Sequence, residues 1–191
     1  MPIAILMCGI PGGGKTFVRD ILLDHLPFHP TVLAPDDIVE DVAERLGMTY
    51  RSVYDNQHLK DYCYNRNWDE IVEAARSKNH LLIDRTHIDA AYRTKTMNFV
   101  RDVDPSYEFF CMDVRPPDVF TWVKRLDQRE GKEIPADILF RFVRTYQSPS
   151  YLEGFRGIWS GRSDDLRGLD LQSAFRSQLS LIEEFHSLTT V

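Results

Sequence analysis

The sequence predicts an α/β fold: a parallel sheet of about five strands with helices on both faces. Three observations predict it. Short apolar runs alternate with stretches of helical periodicity along the chain. The runs are uninterrupted, which suits buried strands of a parallel sheet. And the first run leads straight into a glycine-rich turn, Gly9-Ile10-Pro11-Gly12-Gly13-Gly14-Lys15-Thr16, with helical spacing after it.

Ile3 to Cys8 reads as the first strand. From Lys15 to Leu26, Phe17, Val18, Ile21, Leu22 and Leu26 keep helical spacing, and Pro27 and Pro30 stop it. Thr31 to Ala34 is a short second strand ending in Pro35-Asp36-Asp37. A helix over 38–46 turns Ile38, Val39, Val42 and Leu46 inward and closes at Gly47. Residues 48–66, polar and tyrosine-rich, read as a helical or irregular excursion. Trp68, Ile71, Val72 and Ala75 give a helix over 67–77, and His80 to Asp84 a third strand.

Asp89 is placed as an N-cap for a helix with Tyr92, Thr96, Phe99, Val100 and Val103 on one face. Tyr107 to Val114 is the fourth strand. Pro116-Pro117-Asp118 opens a helix expected to bury Val119, Phe120, Val123 and Leu126. Pro135 starts another through Ile138, Leu139, Phe142, Val143 and Tyr146. A fifth strand falls around Ile158-Trp159, and an amphipathic helix over 170–188 carries Leu171, Phe175, Leu179, Ile182 and Phe185.

At 191 residues the chain is expected to form one domain, residues 1–191, by the prior of about 100–200 residues each. No apolar run approaches the roughly 20 residues of a membrane span, and no basic segment precedes the first run as in a signal peptide. Cys8, Cys63 and Cys111 are odd in number and widely spaced, which gives neither a disulfide framework nor a zinc site; a reducing, cytoplasmic setting follows. The net charge of −6 argues against a broad basic surface that coats nucleic acid, although a local basic cleft is compatible with it. Oligomeric state is not written in the sequence.

The turn matches G-x-x-x-x-G-K-[ST] between a strand and a helix, the setting of a phosphate-binding P-loop. Gly9, Gly12, Gly13 and Gly14 let backbone N–H groups close around phosphate oxygens. The following helix adds its positive end. Lys15 can reach the β- and γ-phosphates, and the Thr16 hydroxyl can ligate Mg²⁺. ATP and Mg²⁺ are the expected ligands. A switch GTPase would carry D-x-x-G after strand three and N-K-x-D for guanine; neither occurs, so a kinase is the better account.

Other candidates fall at strand ends, where parallel sheets hold ligands. Asp36 or Asp37 could take the proton of an acceptor hydroxyl, with Asp36 ahead, or cap the next helix. Asp84 could serve Mg²⁺ or be a turn residue. Thr86 and His87 follow it. Arg125 and Arg129, one helical turn apart, suit a lid over roughly 124–147 that spreads positive charge on a transferring phosphoryl group, or a solvated charge run. Arg93 and Arg101 could meet acceptor phosphate or simply face solvent.

The ordered set of motifs resembles the 5′-kinase domain of polynucleotide kinases, both bacteriophage and animal. The resemblance covers most of the chain. It rests on Gly9-x-Pro11-Gly12-x-Gly14-Lys15-Thr16, on Asp36 at the family's general-base position, on Ile83-Asp84-x-Thr86-His87, on Arg93, on Arg125 and Arg129, on Ile134-Pro135 and on Ser148-Pro149-x-x-x-Glu153-Gly154-Phe155. It implies an adenylate-kinase-like core and transfer of the γ-phosphate of ATP to a nucleic-acid hydroxyl, foremost a 5′-hydroxyl. Asp37, Val39, Thr86, His87 and Arg93 would lie on the acceptor side. Departures gather there: Val39 stands where the bacteriophage enzyme has an acceptor-binding arginine, and His87 replaces an asparagine. A related phage kinase class that phosphorylates 5-hydroxymethyluracil in DNA is one alternative, and a nucleoside or other small-molecule kinase another.

Overall fold

The computed structural model describes residues 1–129, 132, 134–166 and 171–187; within the last helix, residues 171–175, 177, 178 and 185 are described as backbone alone. Starts and ends assigned to residues 170 and 188, and lid positions 130, 131 and 133, lie outside the described residues.

The strands β1 (Ile3–Cys8), β2 (Thr31–Leu33), β3 (Leu81–Asp84), β4 (Glu108–Arg115) and β5 (Gly157–Arg162) form one parallel sheet in the order β2-β3-β1-β4-β5. The central strand β1 pairs Leu6 with Ile83 on one side and with Cys111 on the other. Its six residues are all fully buried, because alternate side chains enter two different layers. Ile3, Ile5 and Met7 pack with Val18 and Leu22 of α1 (Lys15–His25) and with Leu179 and Ile182 of the last helix. Ala4, Leu6 and Cys8 face Trp68, Ile71, Met97 and Val100.

The tyrosine-rich stretch is helical. After α2 (Pro35–Leu46) come α3 (Tyr50–Asp55) and the 20-residue α4 (Gln57–Arg76), which starts ten residues earlier than its apolar stripe announces. The N-caps Thr49 and Asn56 set these starts by accepting from Ser52 and Leu59 N–H. A third apolar cluster joins Ile38, Val39, Val42, Val53 and Cys63. Val39 is therefore packed into this apolar cluster, 6% exposed.

Asp89 caps α5 (Ala90–Val103) by accepting from Tyr92 N–H at 2.7 Å, as expected. Asp118 likewise caps α6 (Val119–Asp127). The apolar stripe of α6 points the wrong way, however. Val119, Phe120 and Val123 are exposed, Phe120 by 88%, while Trp122, Arg125 and Leu126 face the protein. On α7 (Ala136–Thr145) Phe140 and Val143 are exposed too. The last helix, α8 (Leu171–Ser187), follows a 3-10 turn at Ser163–Leu166.

Two expected acceptor residues prove structural. Arg93 is fully buried. Its Nε and Nη2 donate to Glu153 at 2.8 Å each, and Nη1 donates to the carbonyls of His87 (2.9 Å) and Gln147 (2.8 Å). Nη2 also points at Ser148 O, so every guanidinium N–H is engaged. His87 is fully buried and holds a positive φ of 41°. Its Nδ1–H donates to Met7 O at 2.9 Å, and its Nε2 lies 3.1 Å from the Thr96 hydroxyl, which also reaches Tyr92 O. Neither side chain can reach an acceptor, because a core position has consumed its hydrogen-bonding capacity.

Removing one partner of a buried ion pair strands the other. Glu153→Ala should lower unfolding free energy by about 3–5 kcal/mol; a urea midpoint like that of the wild type would contradict the structural role. Burial, the largest influence, lowers the His87 pKa to about 3 from 6.5. The unfolded ring then binds a proton that the folded ring refuses, so stability is full above the unfolded pKa and falls as pH drops towards the folded one. His80, lowered to about 4 chiefly by burial, acts in the same direction. Between about pH 7 and 5, His87 alone should remove about 2 kcal/mol, and identical denaturation midpoints at the two pH values would count against a neutral buried ring.

Candidate active site

The loop between β1 and α1 is built from close approaches. Gly9 has φ 143°, and a Cβ there would sit 2.3 Å from Val114 O on the neighbouring strand. Gly14 has φ 96°, and its Cβ would fall 2.3 Å from the Ser163 hydroxyl. Any other residue would push β4 or the Ser163 turn away. Gly9 N–H donates to Thr86 O at 2.8 Å, so the β3 end props the loop, and Thr86 meets it through its carbonyl. Gly12 lies beneath Trp122, whose indole Nε1–H donates to Pro11 O at 2.7 Å. Ser163 Oγ donates to Gly13 O at 3.1 Å.

Lys15 folds back over this loop, its Nζ 3.0 Å from Gly9 O and 3.4 Å from Ile10 O. Burial lowers its pKa, against the opposing charges of Asp84 and Asp36. Asp84 is nearly buried at the tip of β3. Burial pushes its carboxyl up, opposed by Lys15 and by Arg19 of α1, whose Nη1 donates to it at 3.1 Å. Its observed partner is thus Arg19, a residue the sequence did not single out. Thr16, the residue after Lys15, is exposed.

Asp36 and Asp37 sit inside the first turn of α2, because Pro35 takes the first helical position and moves the start three residues earlier. The residue at the cap is Ala34, with no side-chain cap bond. That overturns the N-cap alternative and leaves both carboxylates at the positive end of a helix. Asp36 accepts from the Tyr50 hydroxyl at 2.9 Å. Burial foremost, then Asp36, pushes the Tyr50 pKa up, so its hydroxyl remains a proton donor. Burial also raises the Asp37 carboxyl, opposed by Arg19.

The arginines of α6 have different surroundings. Arg125 donates to the Ser163 hydroxyl at 3.0 Å and pairs with Asp164, which places it on the Gly13–Gly14 flank of the loop. Arg129 lies close enough to Lys15 and Tyr50 for its charge to lower the pKa of both. Lys132 bonds to Glu40 of α2 and lies 4.9 Å over the Tyr50 ring. The structure therefore gathers Gly9, Gly12, Gly13, Gly14, Lys15, Thr16, Asp36, Asp37, Asp84, Arg125 and Arg129 at one end of the sheet. It leaves Val39, His87 and Arg93 in the core. It adds Arg19, Tyr50, Trp122 and Lys132, whose only sequence signal was a charge or aromatic ring at no recognisable spacing.

Thr16 and Asp84 present the hard oxygen donors that Mg²⁺ takes, and such a site completes itself with phosphate oxygens and water. The donor set fits. Three free cysteines, all buried, take no part. No helix among the described residues is long and apolar enough to cross a membrane.

A family model described as an AAA domain (AAA_33) matches residues 5–149. No curated protein sequence matches the chain. Solved structures with a similar fold include a candidate kinase from Chloroflexus aurantiacus, 18% identical, covering 97% of this chain and 96% of its own, with a TM-score of 0.68. Kti12 of Chaetomium thermophilum, solved with ADP-AlF3, is 16% identical at 95% and 97% coverage, TM-score 0.63. A gluconokinase from Sinorhizobium meliloti is 16% identical at 98% coverage of both chains, TM-score 0.55. With its family model spanning most of the chain and a five-stranded parallel sheet around the P-loop, the protein belongs to the AAA_33 family of AAA domains and has the P-loop kinase-like fold.

Proposed function

We propose that the protein is an ATP-dependent phosphotransferase that phosphorylates a hydroxyl group, with Asp36 as the general base. One observation carries the reading: Asp36, held by Tyr50, lies near enough to Lys15 for its charge to act on the ammonium, as does Asp84, so a hydroxyl beside Asp36 would meet a phosphoryl group beside Lys15. In the reaction Asp36 takes the acceptor proton as the oxygen attacks the γ-phosphorus and the bond to the β-γ bridging oxygen breaks, releasing ADP. Tyr50 orients the carboxylate. Lys15 leaves its carbonyls to balance charge on the phosphoryl oxygens, and Arg129 adds to it from the lid. Arg125 holds the nucleotide side of the loop. Thr16 and Asp84 would hold Mg²⁺, which when bound neutralises phosphate charge.

For the acceptor, a small hydroxyl compound fits best. Arg93, expected to grip a polynucleotide phosphate, is consumed in the core, and Asp37 and Glu40 add negative charge beside Asp36. The gluconokinase among similar folds is a small-molecule kinase by its name. A polynucleotide hydroxyl, whether a 5′ end or a base hydroxymethyl group, is the second reading. It is favoured by Tyr54, Tyr62 and Tyr64, all about half exposed on α3 and α4, with Lys60 over the Tyr54 ring at 4.6 Å.

Asp36→Asn should lower kcat about 10²–10⁴-fold while sparing ATP binding; turnover within a few-fold of wild type would remove Asp36 from the chemistry. Labelled ATP offered to sugars, sugar acids, nucleosides, 5′-hydroxyl oligonucleotides and blocked-end DNA containing 5-hydroxymethyluracil should label a small compound. Label on an oligonucleotide would install the second reading, and ATP turnover with no labelled acceptor would refute both.

A further inference from the structure

We infer an oxyanion subsite on the far side of β3, formed by Arg85 and Asn67 and walled by Trp68, Tyr64 and Tyr92. Arg85 follows Asp84 directly. Strand alternation sends Asp84 towards α1 and Arg85 towards α4 and α5, so the two flank the same strand tip. Arg85 is 6% exposed. Its guanidinium stacks on Trp68 at 4.3 Å, with the Tyr64 and Tyr92 rings at 5.8 and 6.0 Å.

What makes this a site is an excess of donors. Arg85 Nε donates to Asn67 Oδ1 at 3.0 Å, Nη2 donates to the same oxygen, and Nη1 donates to the Tyr92 hydroxyl. Neither partner is charged, and no carboxylate pairs with Arg85 among the described residues. Two guanidinium N–H groups remain. Asn67 is fully buried, and its Nδ2 has no hydrogen-bond partner. Turning the amide over would set its NH₂ against the Arg85 N–H groups, so the orientation is fixed. A buried guanidinium without a counter-charge beside a buried amide without an acceptor calls for an anionic, oxygen-bearing group. A phosphate or a carboxylate supplies both the charge and the lone pairs.

The subsite deepens the phosphotransfer reading and rests on it for one point, that the anion belongs to the acceptor. The acceptor is then a hydroxyl compound with a second, negatively charged group, the hydroxyl at Asp36 and the charge at Arg85. This residue pair would serve for the acceptor in place of the buried Arg93.

The test is thermal unfolding with the nucleotide site saturated by ADP and Mg²⁺, titrating inorganic phosphate, acetate, or sodium chloride at matched ionic strength. Phosphate or acetate should raise the wild-type Tm by several degrees at saturation. A rise with phosphate alone assigns a phosphate monoester, and one with acetate alone assigns a carboxylate. Asn67→Asp puts a carboxylate against Arg85 without changing side-chain size. It should raise Tm in the absence of anions and abolish the response. No wild-type response beyond chloride, or an undiminished response in Asn67→Asp, overturns the subsite. Asp36→Asn should respond like the wild type. An anion response with no phosphoryl transfer to any acceptor would therefore sink the phosphotransfer reading alone, and transfer without a response would sink the subsite alone.

Discussion

The pairing of Arg93 with Glu153 ties together segments that lie far apart in the sequence. A guanidinium with no exposure sits at the centre of four segments: the end of β1 through Cys8, the turn carrying His87, the stretch after α7, and the 3-10 turn that ends in Glu153. Burying two charges is costly, and only a full set of hydrogen bonds makes it tolerable. Here the set is full. Glu153 also accepts from Ser150 N–H, closing a capping box, and Gly154 then turns the chain at φ 98° to bury Phe155. The turn carrying His87 runs on from Thr86, whose carbonyl props the P-loop, so a pair with no chemistry of its own helps hold the phosphate-binding backbone in place.

The loop itself is held from outside as much as by its glycines. Thr86 O, Ser163 Oγ and the Trp122 indole each bond to a different peptide unit of it. The ring of contacts draws on β3, on α6 and on the turn after β5. Lys15 finds acceptors in the loop's own carbonyls, which engage its ammonium group.

Most of the architecture was legible because its signals are local. The uninterrupted apolar strands, the glycines of residues 9–14 and the caps Asp89 and Asp118 each report a constraint that acts within a few residues. Asp36 and Asp84 were legible as strand-end carboxylates, although the helix start at Pro35 changes what surrounds the first. Arg93 was not legible. A single arginine on an amphipathic helix looks the same whether it meets solvent or a glutamate 60 residues away. The face of α6 misled for a related reason: an apolar stripe normally marks the buried side, yet here Trp122 and Arg125 have partners on the P-loop side and the apolar side faces out. Val39 was placed at the acceptor by analogy with an arginine, whereas its own chemistry suited the cluster it occupies.

Trp122 also makes the P-loop optically visible. Its indole donates to Pro11 O and remains partly exposed, while Trp68 and Trp159, the other two indoles of the chain, are each 8% exposed and packed in the core. A nucleotide at the loop is therefore expected to act on the fluorescence of Trp122 ahead of the other two, since that indole is one hydrogen bond from the loop backbone. The protein carries an intrinsic reporter, and its occupancy can be followed without a dye or a label.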